Sequence, residues 1–127
     1  MLHTSTVEPR TFSVLKKLMA IDELQQFYLV GGTCLSLRYG HRKSIDIDLF
    51  STNNFENETV LKILGDNFSG FKLRTSSNVG IFGFIDDVKI DLVKHHFFRQ
   101  IDNAIVEETI RMFSDKDLMA IDRKSVV

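Results

Sequence analysis

The sequence predicts an α/β (α+β) fold in which a small mixed β-sheet is flanked by helices. Three observations carry that expectation. A short apolar and aromatic run, Phe27-Tyr28-Leu29-Val30, ends in Gly31-Gly32, as a buried strand does when it enters a tight turn. Ile45-Asp46-Ile47-Asp48-Leu49-Phe50 alternates apolar and polar residues at period two, which is a strand signature. Helical spacing of Val14, Leu15, Leu18, Met19 and Leu24 predicts an amphipathic helix over about 11–26. Strands interleaved with amphipathic helices bury their apolar surfaces by stacking in layers.

The remaining elements follow in order. Thr33 stands where it can cap a helix carrying Leu35, Leu37 and Tyr39, and Gly40 is a suitable stop. A polar stretch from Ser51 to Asn57 leads into a helix around 55–67 with Val60, Leu61 and Leu64 on one side. Phe71 to Arg74 alternates weakly as a strand. Val79 to Ile85 and Val88 to Val93 read as a hairpin with Asp86-Asp87 in its turn. Ile110 to Phe113 predicts a short strand, and Ser114 is placed to cap a final helical pattern opening at Ser114-Asp115-Lys116-Asp117.

The bulk numbers set bounds on function. A chain of 127 residues is expected to form a single domain over 1–127, and with 43% hydrophobic residues and eleven Phe it can bury a core. The formal net charge of −1 gives no global field toward nucleic acid or a membrane, so any basic contact surface must be local. One cysteine, Cys34, excludes an internal disulfide and fits a reducing compartment. No charged n-region leads into an apolar stretch, and no run approaches membrane-spanning length. A cytoplasmic protein without a membrane partner is expected.

Asp46 and Asp48, two apart on a strand, are expected to leave the same face, with Ile45, Ile47 and Leu49 on the other. Two carboxylates held a few ångströms apart repel, and each raises the pKa of the other unless a cation neutralises them. Mg²⁺ suits such a pair, with Mn²⁺ as a substitute: it prefers oxygen ligands and keeps waters that phosphates can replace. Asp91, between Ile90 and Leu92, supplies a third carboxylate if its strand lies beside the first, and three acids on neighbouring strands serve two-metal phosphoryl transfer. Gly31-Gly32 ends a strand and opens a helix, where backbone N–H groups can hold phosphate oxygens without an intervening Cβ. Arg38 and His41-Arg42-Lys43-Ser44 form a local basic cluster between the two motifs, fit to contact a triphosphate or an RNA backbone.

Each motif also has a plainer reading. A lone Asp-x-Asp is often the solvent face of a strand, the glycine pair can be a turn that simply needs glycine, and the basic cluster can be a solvated loop. The conjunction of the three raises the chemical reading above the plain ones. His95-His96 point opposite ways in an extended chain and do not share a metal; Phe97 and Phe98 read as core. Cys34 falls on an apolar helix face and the sequence makes no activating group evident, so packing explains it better than nucleophilic chemistry.

At Leu29-Val30-Gly31-Gly32-Thr33-x-Leu35-x-Leu37-Arg38 and His41-Arg42-x-Ser44-Ile45-Asp46-Ile47-Asp48-Leu49-Phe50 the sequence resembles the AbiEii/AbiGii-type toxin nucleotidyltransferases, part of the DNA polymerase β-like nucleotidyltransferase superfamily. Val88-Lys89-Ile90-Asp91-Leu92-Val93 resembles the family's third-carboxylate strand, and the likeness covers about residues 25–122. The resemblance implies a polymerase β-like fold and transfer of a nucleoside monophosphate from an NTP to an acceptor hydroxyl, with release of pyrophosphate. It implies that Gly31, Gly32 and Thr33, with Arg42, Lys43 and Ser44, hold the nucleotide. It assigns Asp46, Asp48 and Asp91 to Mg²⁺ and catalysis. It further implies an RNA acceptor, notably tRNA, and a cognate antitoxin protein.

Two departures accompany the likeness. Ser114 to Asp117 begins the family's last helix correctly, but Ile121-Asp122 stands where a Met-Lys pair is typical, and Lys124 comes two positions late. The family's C-terminal helical region is expected to be largely absent. An alternative is therefore a shortened domain that binds a nucleotide or a protein partner without catalysing transfer. A third reading is modification of a small molecule such as an aminoglycoside.

Overall fold

The computed structural model describes residues 2, 7–31, 34, 37, 46–51, 53–94, 105–107 and 110–113, and the structural statements below concern these. Pro9 opens α1 (Pro9–Met19) in its first turn, where a missing N–H costs no helical hydrogen bond. Val14, Leu15, Leu18 and Met19 form its buried stripe, as their spacing predicts. The helix is shorter than the expected 11–26. Ile21 turns extended (φ −82°, ψ 115°), and a single 3-10 turn, Asp22–Leu24, then brings Leu24 into the core.

A residue far away in the chain holds that break. Arg111 donates from Nη1 to the Met19 carbonyl at 3.1 Å, from Nη2 to the Leu24 carbonyl at 3.0 Å, and from Nε to the Phe27 carbonyl at 3.2 Å. One guanidinium thus donates to three carbonyls, those of Met19, Leu24 and Phe27, where the chain leaves the helix. α2 (Asn57–Asn67) starts two residues later than expected, because Glu56 is extended (φ −88°, ψ 123°). Asn57 Nδ2 ties that start to the sheet, donating to Ser76 Oγ at 2.8 Å and to the Ser77 carbonyl at 2.7 Å.

The strands are β1 (Tyr28–Val30), β2 (Ile47–Ser51), β3 (Phe71–Ser76), β4 (Gly80–Ile85), β5 (Val88–Lys94), β6 (Ile105–Glu107) and β7 (Ile110–Met112). They make one sheet in the order β3-β4-β5-β2-β1-β7-β6. It is mixed, as expected: β2 runs parallel to β5 and β1 parallel to β7, while the other neighbours are antiparallel. The β4–β5 hairpin turns at Asp86 (φ 49°) and Asp87 (φ 68°), the left-handed pair that a two-residue type I′ connection demands. β6 had no counterpart among the expected strands. The helix proposed from Ser114 and the histidine pair lie outside the described residues, and so does most of the helix expected after Thr33.

Burial alternates along the central strands. Ile47, Leu49, Ile81, Ile85, Ile90 and Leu92 are sealed in one hydrophobic core, together with Leu15 and Leu18 of α1 and Leu64 of α2. Cys34 and Leu37, helical residues on the segment after β1, are wholly buried in the same core. Between those buried positions Asp48, Phe50, Phe82, Phe84, Lys89 and Asp91 remain half-buried, on the opposite face of their strands.

Candidate active site

The parallel pairing of β2 and β5 sets Asp48 directly beside Asp91. Neighbouring strands lie about 4.8 Å apart and directly paired residues share a face, so the two carboxyls are held together by the backbone. This packing pushes the Asp48 carboxyl up to about 6. Burial is the largest cause, followed by repulsion from Asp91, a hydrogen bond between the two carboxyls, and repulsion from Asp46. Lys89 opposes the rise.

Lys89 is two residues before Asp91 and therefore on the same strand face. Its Nζ lies 3.6 Å from Asp91 Oδ2. The other oxygen, Asp91 Oδ1, is buried without a hydrogen-bond partner. A buried oxygen without a hydrogen-bond partner, next to a carboxyl that resists ionisation, marks a site short of donors or of a cation. Lys89 was not singled out in the sequence, although its period-two spacing from Asp91 was the available signal.

Gly31 follows β1 with φ +75°, a conformation that glycine adopts without strain. A Cβ at this position would overlap Asp48 Oδ2 and lie 3.2 Å from Asp48 Cγ. The glycine turn and the acidic strand are thus one packed unit. Val30 and Asp48 are also paired across β1 and β2. The first glycine is needed both for its dihedral and for the space it leaves to a carboxylate.

Asp46 stands just before β2 rather than within it, because the ladder begins at Ile47. It acts on Asp48 electrostatically and borders a cavity of about 290 Å³ with Arg10, Thr11, Phe84 and Lys89. Among the described residues no three acidic, histidine or cysteine side chains converge as a closed metal cage. Asp48 and Asp91 fit a divalent cation in a different way. Their oxygen donors, mutual repulsion and orphaned Oδ1 match an ion that keeps part of its shell for water and phosphate. Gly32, Thr33, Arg42, Lys43 and Ser44, expected at the nucleotide, lie outside the described residues, as do Arg38 and His41. Cys34 is fully buried and packs in the core.

Residues 13–117 match the profile of the nucleotidyl transferase AbiEii toxin family, a type IV toxin–antitoxin group, which is most of the chain. The chain belongs to that family. This AbiEii-family chain is 28% identical over 85 residues to the uncharacterized protein aq_aa25 of Aquifex aeolicus, an alignment covering 65% of the chain and 41% of that relative. The chain thus spans about two fifths of that curated relative's length.

Solved structures support the fold. A Thermotoga maritima protein assigned as a nucleotidyltransferase superposes with a TM-score of 0.62 at 19% identity, over 94% of this chain and 87% of its own. ANT(2″)-Ia, solved in complex with adenylyl-2″-tobramycin, gives a TM-score of 0.58 at 19% identity, over 94% and 79%. A Helicobacter pylori protein assigned to the same class gives 0.54 at 17% identity, over 92% and 58%. The AbiEii-family chain therefore has the nucleotidyltransferase fold that its glycine turn and acidic strand imply. At these identities the likeness concerns architecture.

Proposed function

We propose that this chain is an Mg²⁺-dependent nucleotidyltransferase that moves a nucleoside monophosphate from an NTP to a hydroxyl of an RNA acceptor, with tRNA as the leading candidate. The carrying observation is the side-by-side placement of Asp48 and Asp91 on parallel neighbours, with Gly31 packed against Asp48. Family membership supports the reaction class.

In this reading Asp48 and Asp91, with Asp46 beside them, hold Mg²⁺ or Mn²⁺. The cation offsets triphosphate charge and stabilises the developing charge on the leaving group. Gly31, Gly32 and Thr33 seat phosphate oxygens at the start of the following segment. Arg42, Lys43 and Ser44 supply further phosphate contacts. Asp91 takes the proton from the acceptor hydroxyl as its oxygen bonds to the α-phosphorus. The bond from that phosphorus to the α,β-bridging oxygen breaks, and pyrophosphate leaves.

The family's toxin–antitoxin setting supports an antitoxin protein as partner. No described helix is long and apolar enough to cross a membrane, and NTP and RNA place the proposed reaction in the cytoplasm. The test is incubation with Mg²⁺, α-labelled NTPs and total RNA, beside an Asp46→Ala/Asp48→Ala variant. Label entering RNA with the parent chain and not with the variant is the expected result. NTP binding without label transfer to any acceptor would instead favour the non-catalytic, nucleotide-binding reading raised by the Ile121-Asp122 departure.

A further inference from the structure

Two cross-strand rows share the half-buried face that carries the carboxylates. The first runs Thr75, Phe82, Asp91 and Asp48 across β3, β4, β5 and β2. The second runs Lys72, Phe84 and Lys89 across β3, β4 and β5. Directly paired residues on neighbouring strands present their side chains on one face. Phe82 is therefore the immediate neighbour of Asp91, and Phe84 lies between two lysines. Both rings keep part of their surface accessible, and Phe84 borders the cavity that also holds Asp46 and Lys89.

Two large aromatic residues half-exposed among polar and charged neighbours are a poor use of apolar surface unless something covers them. Successive rings on one strand face are two residues apart, roughly 7 Å, a spacing that accepts one splayed base per ring. Lys72 and Lys89 on either side of Phe84 suit a polyanionic backbone. The exposed Leu73, Val79 and Val106 are not members of these rows, so the rows carry no broad apolar patch of the kind a protein partner buries.

We propose that Phe82 and Phe84 form a stacking platform for the single-stranded end of the nucleic-acid acceptor, with Lys72 and Lys89 meeting its phosphates. This rests on the transferase reading for the chemistry, but not for the binding. A terminal base stacked on Phe82 brings its sugar hydroxyls toward Asp91 on the adjacent strand. Sequence tolerance follows, since every base offers a ring face to stack.

The test is fluorescence anisotropy of the full chain with a labelled single-stranded RNA 10-mer and with its duplex, without NTP. The single strand should bind more tightly than the duplex. Phe82→Ala and Phe84→Ala should each weaken it roughly tenfold, the scale of one lost base–ring stack. Phe82→Tyr should restore binding where Phe82→Leu does not, which separates stacking from packing. Lys72→Met should flatten the salt dependence by about one phosphate contact. Single-strand affinity unchanged in both alanine variants, or equal affinity for the duplex, would overturn the platform. NTP binding by the parent chain is followed separately, and its absence would count against the transferase reading and leave the platform result standing.

Discussion

Gly31 packs against the carboxylate of Asp48 so closely that no side chain fits between them. The glycine sits at φ +75°, so its conformation and its neighbour both exclude a Cβ. The glycine turn and the acidic strand are consequently set relative to one another by this contact together with the β1–β2 ladder. A displacement of the turn is a displacement of the proposed metal ligand.

Gly31→Ala should therefore damage both stability and activity. A left-handed non-glycine residue costs on the order of 1–2 kcal/mol, and the clash with Asp48 adds to it. The expected loss, read from the urea midpoint, is about 2–3 kcal/mol. A wild-type midpoint would show that the turn is free to move away from Asp48.

The raised Asp48 carboxyl makes a prediction about pH. Its folded pKa of about 6 lies above the ordinary aspartate value. The folded state thus holds a proton that the unfolded state has released, and stability falls as pH rises from about 4 through 6. A shift of this size is at most about 3 kcal/mol, and partial exposure reduces the expected effect to about 1–2 kcal/mol. Asp48→Asn should remove that slope in the metal-free chain and be more stable than the parent at pH 7. Saturating Mg²⁺ should flatten the parent's profile as well. Equal profiles for parent and variant, measured by denaturant between pH 4.5 and 7.5, would remove Asp48 as the cause.

Arg111, half-buried on β7 between β1 and β6, should be costly to truncate. Its three hydrogen bonds hold the end of α1, the 3-10 turn and the entry to β1. Arg111→Ala removes all three of these hydrogen bonds, with the Leu24 carbonyl keeping only its bond from the Phe27 N–H, and should cost about 2–4 kcal/mol. Lysine cannot reproduce the fork geometry, so Arg111→Lys should recover less than half. Thermal or urea unfolding of both variants decides this. A loss under about 0.5 kcal/mol for alanine would mean water replaces the guanidinium.

The β4–β5 turn offers a stabilising change. Asp86 and Asp87 both adopt positive φ, which costs an aspartate more than a glycine. Asp87→Gly should raise stability by about 0.5–1 kcal/mol. The 4.0 Å contact of Asp87 with Arg10 is exposed and should subtract little. A destabilised variant would contradict the I′ assignment of the turn.

Much of this architecture is legible in the sequence because the signals are local. The alternation of Ile47-Asp48-Leu49 and of Val88 to Leu92 gives both central strands and their polar faces. Asp86-Asp87 gives the hairpin, and Val14, Leu15 and Leu18 give the first helix. What was not legible depends on distant partners. Arg111, 92 residues from Met19, donates to the carbonyl at the end of α1, and no residue near Met19 announces that partner. β6 is three residues long and exists through its pairing with β7. Asp46 falls outside the ladder since the register of β2 starts at Ile47, which one strand alone does not disclose. The pairing of Asp48 with Asp91 was conditional on strand order, and the parallel β2–β5 ladder supplies that order.

The central claim is that Asp48 and Asp91 act as one cation-binding, phosphoryl-transfer pair. The most direct measurement is label transfer from α-labelled NTP to RNA across an Mg²⁺ titration, for the parent chain, Asp48→Asn and Asp91→Asn, with folding of each checked by circular dichroism. The account predicts that each substitution lowers transfer at least about a hundredfold at saturating Mg²⁺ while the fold is retained. Transfer within tenfold of the parent in a folded Asp91→Asn variant would contradict it.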